Sequence, residues 1–181
     1  KFLEEISKMK EKNVAIEILK KLIAEQVSVY RHTNVVKSEL FSEKLQRAMN
    51  AYLNGMLTNE EVIEELKKMA AEIVAAVDCS NQLGLSVEEI AFYDALTKPQ
   101  AVKDFYDNDQ LVAITKELTE MLRSNRTVDW QKKETARAKM RSMVKRLLKK
   151  YKYPPEGQEE ALETVISQCE MWTDNTELVI G

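Results

Sequence analysis

Residues 58–77 read TNEEVIEELKKMAAEIVAAV, and this stretch decides the class of fold. Thr58 and Glu61 have the spacing of a capping box, in which each side chain hydrogen-bonds a backbone amide that the first helical turn leaves without a partner. The apolar residues that follow recur every three or four positions, at Val62, Leu66, Met69, Ile73 and Val77. This period is typical of an amphipathic helix with one buried face. The sequence therefore predicts a long helix that packs against a core.

The rest of the chain repeats this pattern and contains few residues that break helices. Only 4 Gly and 3 Pro occur among 181 residues, whereas a sheet protein needs frequent turns that these two residue types usually mark. Several of them lie where predicted helices end, at Gly55, Gly84 and Pro154-Pro155, and a second capping box begins at Ser86. We therefore expect an all-α fold, a multi-helix bundle of about eight or nine helices with no significant sheet.

An early helix is predicted from Val14 onwards. Its main apolar stripe is formed by Val14, Ile18, Leu22 and Val29, and this stripe is widened by Ile16, Leu19 and Ile23. We expect these residues to face the core. A polar break is predicted at residues 31–34, with the sequence RHTN, and the only histidine of the chain, His32, is expected to be a turn residue within it.

The length of 181 residues allows one domain, or two at most. We expect a single helical domain over residues 1–181, with a possible break between two helical layers near residues 82–86. The sequence has no initiator Met and begins within a helical pattern, which favours a fragment of a longer protein. No apolar run of about 18 residues is present, so no transmembrane segment or membrane partner is expected. Cys79 and Cys169 lack metal-site spacing and are expected to be small core residues of a cytoplasmic protein.

The motifs of common catalytic and cofactor sites are missing from the sequence. It contains neither GxxxxGKS/T nor GxGxxG, and neither HExxH nor GxSxG. One histidine is too few for a metal cluster. We therefore expect this chain to be no enzyme by itself and to contain no catalytic residue, metal site or cofactor site.

The distribution of charge is the most informative feature. The formal net charge is −3, yet residues 123–152 contain 12 basic and 2 acidic residues, so that the other residues together carry −13. In a helix from Glu134 to Tyr151, basic residues would line both flanks of the apolar face. The candidate contacts for DNA or an acidic partner are Lys132, Lys133, Arg137, Lys139, Arg141, Lys145, Arg146, Lys149 and Lys150. Residues 132–152 are called the basic segment below.

Two interpretations of the basic segment stay open from the sequence. It is either a solvated face, paired with the acidic last helix through Glu156, Glu159, Glu160 and Glu163, or a surface that binds an anionic partner. Among nucleic acids, duplex phosphate is favoured, because no aromatic residues alternate with the basic ones to stack on single-stranded bases. A lipid surface is disfavoured, because the core needs the apolar face of this helix.

Several blocks of the sequence are similar to a known family. They are LGLS at 83–86, EIAFYDAL at 89–96, TVDW at 127–130, RAKMR at 137–141, VKRLL at 144–148 and YPP at 153–155. In this order they resemble the C-terminal region of the restriction (R) subunit of type I restriction-modification enzymes. The resemblance covers about residues 11–172, which is nearly the whole chain.

The resemblance implies a role in a multi-subunit enzyme. A full-length R subunit of this family carries a nuclease domain and two helicase-type ATPase domains, uses ATP and Mg, and works with modification (methyltransferase) and specificity subunits. For this segment it implies an assembly module that docks the ATP-dependent DNA translocase/endonuclease subunit onto the modification complex. The alternative is a module that contacts DNA phosphates through the basic segment. No catalytic residue is carried over, because no catalytic motif of the family is matched here.

Overall fold

A computed structural model describes residues 2–99, 101–125 and 134–180, with the side chains of the last helix as far as Trp172. Within these ranges the chain is mostly helical and contains no strand. The helices are α1 (Phe2–Ser7), α2 (Lys12–Thr33), α3 (Val35–Leu53), α4 (Asn59–Leu83), α5 (Val87–Thr97), α6 (Ala101–Phe105), α7 (Asn108–Asn125), α8 (Glu134–Lys150) and α9 (Pro155–Ile180). The all-α fold class is confirmed, although the sequence did not predict the short helices α1 and α6.

Helices α4, α5 and α7 each begin at a residue whose side chain caps the first turn. Thr58 and Glu61 form the predicted capping box of α4, with two reciprocal hydrogen bonds of 3.2 Å between side chain and backbone amide. Ser86 caps α5 in the same way, also as predicted. Helix α7 begins with an equivalent pair that the sequence analysis did not find, in which Asp107 and Gln110 exchange hydrogen bonds of 3.0 and 2.8 Å. The polar residues before α4, α5 and α7 therefore fix the first turn of these three helices.

Helices α3, α4 and α8 are each followed by a residue with a left-handed backbone conformation, and α9 begins at a proline. Gly55 after α3 has φ of 75° and Gly84 after α4 has φ of 67°, a region that glycine enters without steric cost. Lys152, with φ of 54°, takes the same conformation between α8 and α9. Pro155 is the first residue of α9, where its fixed φ suits the helix and its missing N–H costs nothing.

Unit 1 is one of two compact units and consists of residues 1–31 and 37–82. Its core is contributed by α1 to α4 and is entirely apolar. The buried residues include Ile6, Leu19, Ile23, Phe41, Val62 and Leu66. Tyr30 and Phe41 stack at the edge of this core, with their ring centroids 6.0 Å apart.

Unit 2 consists of residues 32–36 and 83–181. Helix α5 packs against α7 and α9, and α8 packs against α7 and α9. The buried core residues include Phe92, Leu96, Leu118, Leu122, Met140, Val144, Leu148 and Leu162. The assignment of residues 1–181 to a single domain with a break near 82–86 stays a prediction.

Helix α2 buries part of the predicted face: Ile16, Leu19 and Ile23 are buried as expected, but the main stripe is not. Its buried residues are Ala15, Ile16, Leu19, Ile23, Val27 and Tyr30. In the predicted stripe, Val14 is 40% exposed, Leu22 is 39% exposed and Val29 is 53% exposed. Both stripes have helical spacing, so periodicity alone does not decide between them. The buried stripe is the one that ends in Tyr30 and packs on the core of unit 1.

Four further expectations are corrected. Helix α2 continues to Thr33 and α3 starts at Val35, so the predicted break at 31–34 is reduced to Asn34. His32 is consequently an exposed residue in the last turn of α2 and not a turn residue. Cys169 is buried as expected, but Cys79 is exposed. Val77 near the end of α4 is also exposed, at 46%, because the last turns of this long helix extend past the buried stripe.

Candidate functional site

Helix α8 carries most of the basic segment on a firmly packed scaffold. Its buried residues Met140, Val144, Leu147 and Leu148 lie one helical turn apart and join the core of unit 2. This packing fixes the rotation of the helix about its axis, and it turns the basic side chains outward. Lys132, Lys133 and the block TVDW lie outside the described residues.

One margin of α8 is neutralised by α9. Arg137 forms an ion pair with Glu170, and Arg141 forms one with Glu163. In the second pair both guanidinium nitrogens take part, with N···O distances of 2.6 and 3.1 Å. Such exposed pairs stabilise a protein by about 0.2–1 kcal/mol each. Along this margin the interpretation of a face paired with the last helix is supported, with Glu170 as a residue that the sequence analysis did not name.

The opposite margin of α8 is neutralised by α7. The Lys150 ammonium lies 2.7 Å from a carboxylate oxygen of Glu117, and the Tyr151 hydroxyl donates a hydrogen bond to the other oxygen. The hydrogen bonds from Lys150 and then Tyr151 lower the pKa of Glu117. The hydrogen bond to Glu117 in turn raises the pKa of Lys150. Both groups therefore stay charged, and their charges cancel locally.

Between these margins lies an outward-facing arc of four basic side chains. Lys139, Lys145, Arg146 and Lys149 are exposed, and none of them forms an ion pair with a residue that the structure describes. At 100° per residue they occupy about 120° of the helix circumference. These four residues are called the cationic arc below. The nine sequence candidates thus divide into three neutralised residues at the margins, four in the arc, and two that are not described.

The chemistry that this surface offers is the binding of anions. In the described part of the chain, no group of three or more His, Cys, Asp and Glu side chains is placed to hold a metal ion. Exposed ammonium and guanidinium groups without carboxylate partners attract phosphate or carboxylate, and this attraction weakens with salt.

The apolar face of α2 is a second candidate surface, in unit 1. The three exposed residues Val14, Leu22 and Val29 follow one side of the helix with the half-buried Ile18 between them. A shallow groove beside Val14 and Ile18 is lined further by Asn13, Glu17, Lys20, Lys21 and Ala24. Contiguous exposed apolar residues of this kind commonly mark sites of protein–protein contact. This face is called the apolar α2 face below.

A cleft of 320 Å³ lies between α3 and α4 of unit 1. Lys44 and Glu72 form an ion pair of 2.7 Å across it. Its other lining residues are Arg47, Ala48, Ala51, Leu57, Glu65, Lys68 and Met69. Because charges of both signs line it, the cleft favours neither an anion nor a cation.

A polar cluster in unit 2 was missed by the sequence analysis. Asn34, only 3% exposed, donates a hydrogen bond of 2.7 Å from Nδ2 to Oδ2 of Asp94. The side-chain amide of the buried Gln168 hydrogen-bonds backbone groups on either side of Asn34. Asp94 belongs to the block EIAFYDAL, so this contact gives one residue of that block a structural role. No local sequence signal pairs residues this far apart.

The sequence of the chain matches one protein family and two known relatives. The family model described as type I restriction enzyme HindI endonuclease subunit-like, C-terminal, matches residues 1–175. The type I restriction enzyme HindI endonuclease subunit of Haemophilus influenzae is 40% identical over 169 residues, which are 93% of this chain and 16% of that protein. A relative in Methanocaldococcus jannaschii, with the provisional name type I restriction enzyme MjaIXP endonuclease subunit, is 33% identical over 150 residues, 82% of this chain and 14% of that protein.

The chain therefore belongs to the HindI-like family of type I restriction enzyme endonuclease subunits and corresponds to its C-terminal part. The resemblance seen in the sequence blocks is confirmed. The chain spans about a sixth of the length of the two relatives. No solved structure gives a significant match. Among the described helices, none has the length and apolarity needed to cross a membrane.

Proposed function

We propose that this chain is the helical assembly module of a type I restriction enzyme R subunit, which docks the ATP-dependent DNA translocase/endonuclease subunit onto the modification complex. Two relatives bear the name of an endonuclease subunit, and a subunit requires surfaces that hold it to others. The proposed partners are the modification (methyltransferase) and specificity subunits. Of these partners, we propose that the modification subunit binds the apolar α2 face.

The observation that carries this proposal is the apolar α2 face. Unit 1 already has a filled core, so Val14, Leu22 and Val29 are not needed for its folding and yet remain apolar and exposed. Burying a Val or Leu side chain is worth about 1.5–3 kcal/mol. Three such residues on one helix therefore provide the centre of a protein interface, with the charged residues Glu17 and Lys21 beside it as a polar rim.

The test is a calorimetric titration of the chain with purified modification subunit, which measures the dissociation constant. Replacing Val14→Asp together with Leu22→Asp is expected to weaken binding at least tenfold, about 1.4 kcal/mol, because two anchors become charged. The matched control is Gln46→Asp with Asn50→Asp, which adds the same two charges at exposed polar positions of α3. Equal binding by both variants would contradict the assignment of this face.

A second candidate function is contact with DNA phosphates through the basic segment. It is supported by the cationic arc, since four neighbouring basic side chains without carboxylate partners in the described structure attract a polyanion. The two functions are compatible, because an assembly module of a translocase can also touch the duplex. A salt titration of the chain with duplex DNA tests this candidate: salt-sensitive binding supports it, and no binding at low salt contradicts it.

The remaining proposals concern the longer protein. We infer that the full-length R subunit is a type I site-specific deoxyribonuclease that uses ATP and Mg, and that neither its nuclease nor its ATPase centre lies in this chain. The absence of GxxxxGKS/T from the sequence supports the second point. A cytoplasmic location is proposed with it, since the DNA and ATP that such an enzyme needs are found there.

A further inference from the structure

We infer that the cationic arc of α8, and not the basic segment as a whole, is the nucleic-acid contact of this chain, and that it binds one phosphodiester backbone of a duplex without reading bases. This inference rests on the second candidate function and deepens it. It selects Lys139, Lys145, Arg146 and Lys149 from the nine basic residues that the sequence offers.

The three basic residues at the margins of α8 are not available to bind phosphate. Arg137 and Arg141 already have carboxylate partners on α9, and Lys150 has one on α7. A phosphate that approached these three residues would have to displace a carboxylate, so the release of counterions that drives phosphate binding would be largely lost. Their role is to hold α8 between its neighbours.

The surface between the four cations is formed by small side chains. Three small side chains, Thr135, Ala138 and Ser142, lie on the outward side of α8 and are exposed. On the helical wheel Thr135 and Ser142 fall between the pair Lys145/Lys149 on one side and the pair Lys139/Arg146 on the other, whereas Ala138 lies between Lys145 and Lys149. The arc therefore consists of two rows of cations with a low floor between them. A phosphate backbone can approach the helix closely along such a floor.

The length of the arc determines the size of the anion that can contact all four cations. Ten residues separate Lys139 from Lys149, which corresponds to about 15 Å along the helix axis. A single phosphate ion cannot contact all four cations over that distance. One strand of a DNA duplex carries about one phosphate per 3.4 Å of helix axis, so a single backbone laid along the arc supplies several phosphates at once. An extended polyanion is therefore the ligand that fits.

The composition of the arc favours phosphate contacts over base contacts, since three of its four cations are lysines. The exposed residues of the arc and its floor are Lys, Arg, Ala, Ser and Thr, with no aromatic ring that could stack on a base. Lysine contributes a point charge, whereas base recognition favours bidentate arginine or amide side chains. The expected binding is thus independent of sequence, as suits a protein that contacts a moving duplex.

The experiment compares two variants that lose the same number of charges. In the arc variant, Lys139, Lys145, Arg146 and Lys149 are all changed to Gln. In the matched control, Lys20, Lys21, Lys67 and Lys68 of unit 1 are changed to Gln, which alters the net charge by the same amount. Binding of the 181-residue chain to a mixed-sequence duplex of about 20 base pairs is followed by fluorescence anisotropy between about 50 and about 200 mM salt. Circular dichroism verifies that each variant is folded.

Wild type is expected to lose affinity on the order of 100-fold over this range, from a slope of about −0.9 for each of four phosphate contacts. The arc variant is expected to lose about 3.6 units of that slope, and the control to keep the wild-type slope. Arg137→Gln with Arg141→Gln should also keep most of it. Equal slopes for the arc variant and the control overturn the inference.

The failure of this inference can be told apart from the failure of the DNA-contact function itself. If wild type binds DNA with a steep slope that the arc variant retains, the DNA contact stands and the assignment of the arc is wrong. If wild type does not bind DNA at low salt, both are wrong. If the arc variant instead loses only its binding to the modification subunit, the arc is an acidic-protein contact, and the inference is likewise overturned.

Discussion

The backbone amide of Val35 donates a hydrogen bond of 2.8 Å to Oε1 of Gln168, which lies 133 residues further along the chain. Nε2 of the same Gln168 side chain donates to the carbonyl oxygen of Thr33 at 3.0 Å. One buried side-chain amide thus satisfies backbone groups on both sides of Asn34, where α2 ends and α3 begins. The short break between these helices is therefore stabilised by α9 and not by turn residues of its own.

This relationship predicts that Gln168→Leu destabilises the protein by about 1–3 kcal/mol, because Val35 N–H and Thr33 C=O both lose a partner in a site that water enters poorly. Urea unfolding measures the change. The neighbouring exposed residue provides the control, since Ser167→Ala on the same helix should stay within about 0.5 kcal/mol of wild type. An unchanged midpoint for Gln168→Leu would show that the two hydrogen bonds contribute nothing.

Gly157→Ala is predicted to destabilise the protein, against the usual trend in helices. Alanine normally improves a helix interior by about 0.5–1 kcal/mol over glycine. Here a Cβ on Gly157 would lie only 2.7 Å from Cβ of Pro99 and 3.0 Å from its Cγ, so backbone or ring must move. We expect a net loss of about 1–3 kcal/mol in thermal or urea unfolding. A gain in stability would mean that the contact between Gly157 and Pro99 is looser than described.

The buried Tyr153 predicts a loss of stability at alkaline pH. Burial raises the pKa of this phenol, and Tyr106 and Glu160 raise it further. Because folding favours the neutral form, its contribution is complete below the ordinary tyrosine pKa of about 10 and is lost as the pH rises toward the folded value. The free energy of unfolding should therefore fall above about pH 10.

Tyr153→Phe should make that decline less steep, while Tyr106, whose pKa burial also raises, maintains part of it. At neutral pH the same variant should lose about 1 kcal/mol, because the Tyr153 hydroxyl donates a 2.6 Å hydrogen bond to the carbonyl oxygen of Leu96. Urea unfolding at neutral and alkaline pH measures both effects. An identical pH dependence in wild type and variant would contradict the role of Tyr153.

The two cysteines are predicted to differ in accessibility. Cys79 is exposed near the end of α4, whereas Cys169 is fully buried in the core of unit 2. A thiol reagent should therefore modify one cysteine rapidly in the native protein and the second only after unfolding. Cys79→Ser should abolish the rapid phase. Rapid modification of Cys169 in that variant would show that the core of unit 2 opens readily.

The sequence predicts the helices well because their signals are local. The capping boxes at Thr58 and Ser86, the glycine at position 55 and the start of α9 at Pro155 each depend on a few neighbouring residues. The main stripe predicted for α2 is exposed, although Ile16, Leu19 and Ile23 are buried as expected. Both apolar stripes have the right period. The choice between them depends on the surface that α3 and α4 present, which local periodicity does not contain.

The basic segment likewise has one feature that the sequence shows and one that only the fold shows. Its concentration of charge is visible in the sequence, but the charges that remain without carboxylate partners depend on which acidic residues lie beside α8. Glu117 and Glu170 are 33 residues from the cations they meet, and the sequence analysis named neither. Of the four acidic residues that it did name, Glu163 is the one paired with α8 in the described structure. The cationic arc could therefore be defined only from the fold.

Hydrogen–deuterium exchange of the chain with and without purified modification subunit tests the central claim, docking through the apolar α2 face, most directly. The account predicts that complex formation slows exchange in α2, Lys12–Thr33, around Val14 to Val29, while α8 remains unchanged. The Gln46→Asp, Asn50→Asp control should give the same protection, and Val14→Asp with Leu22→Asp should lose it. Protection confined to α8, or no protection at saturating partner, would contradict the proposed docking surface.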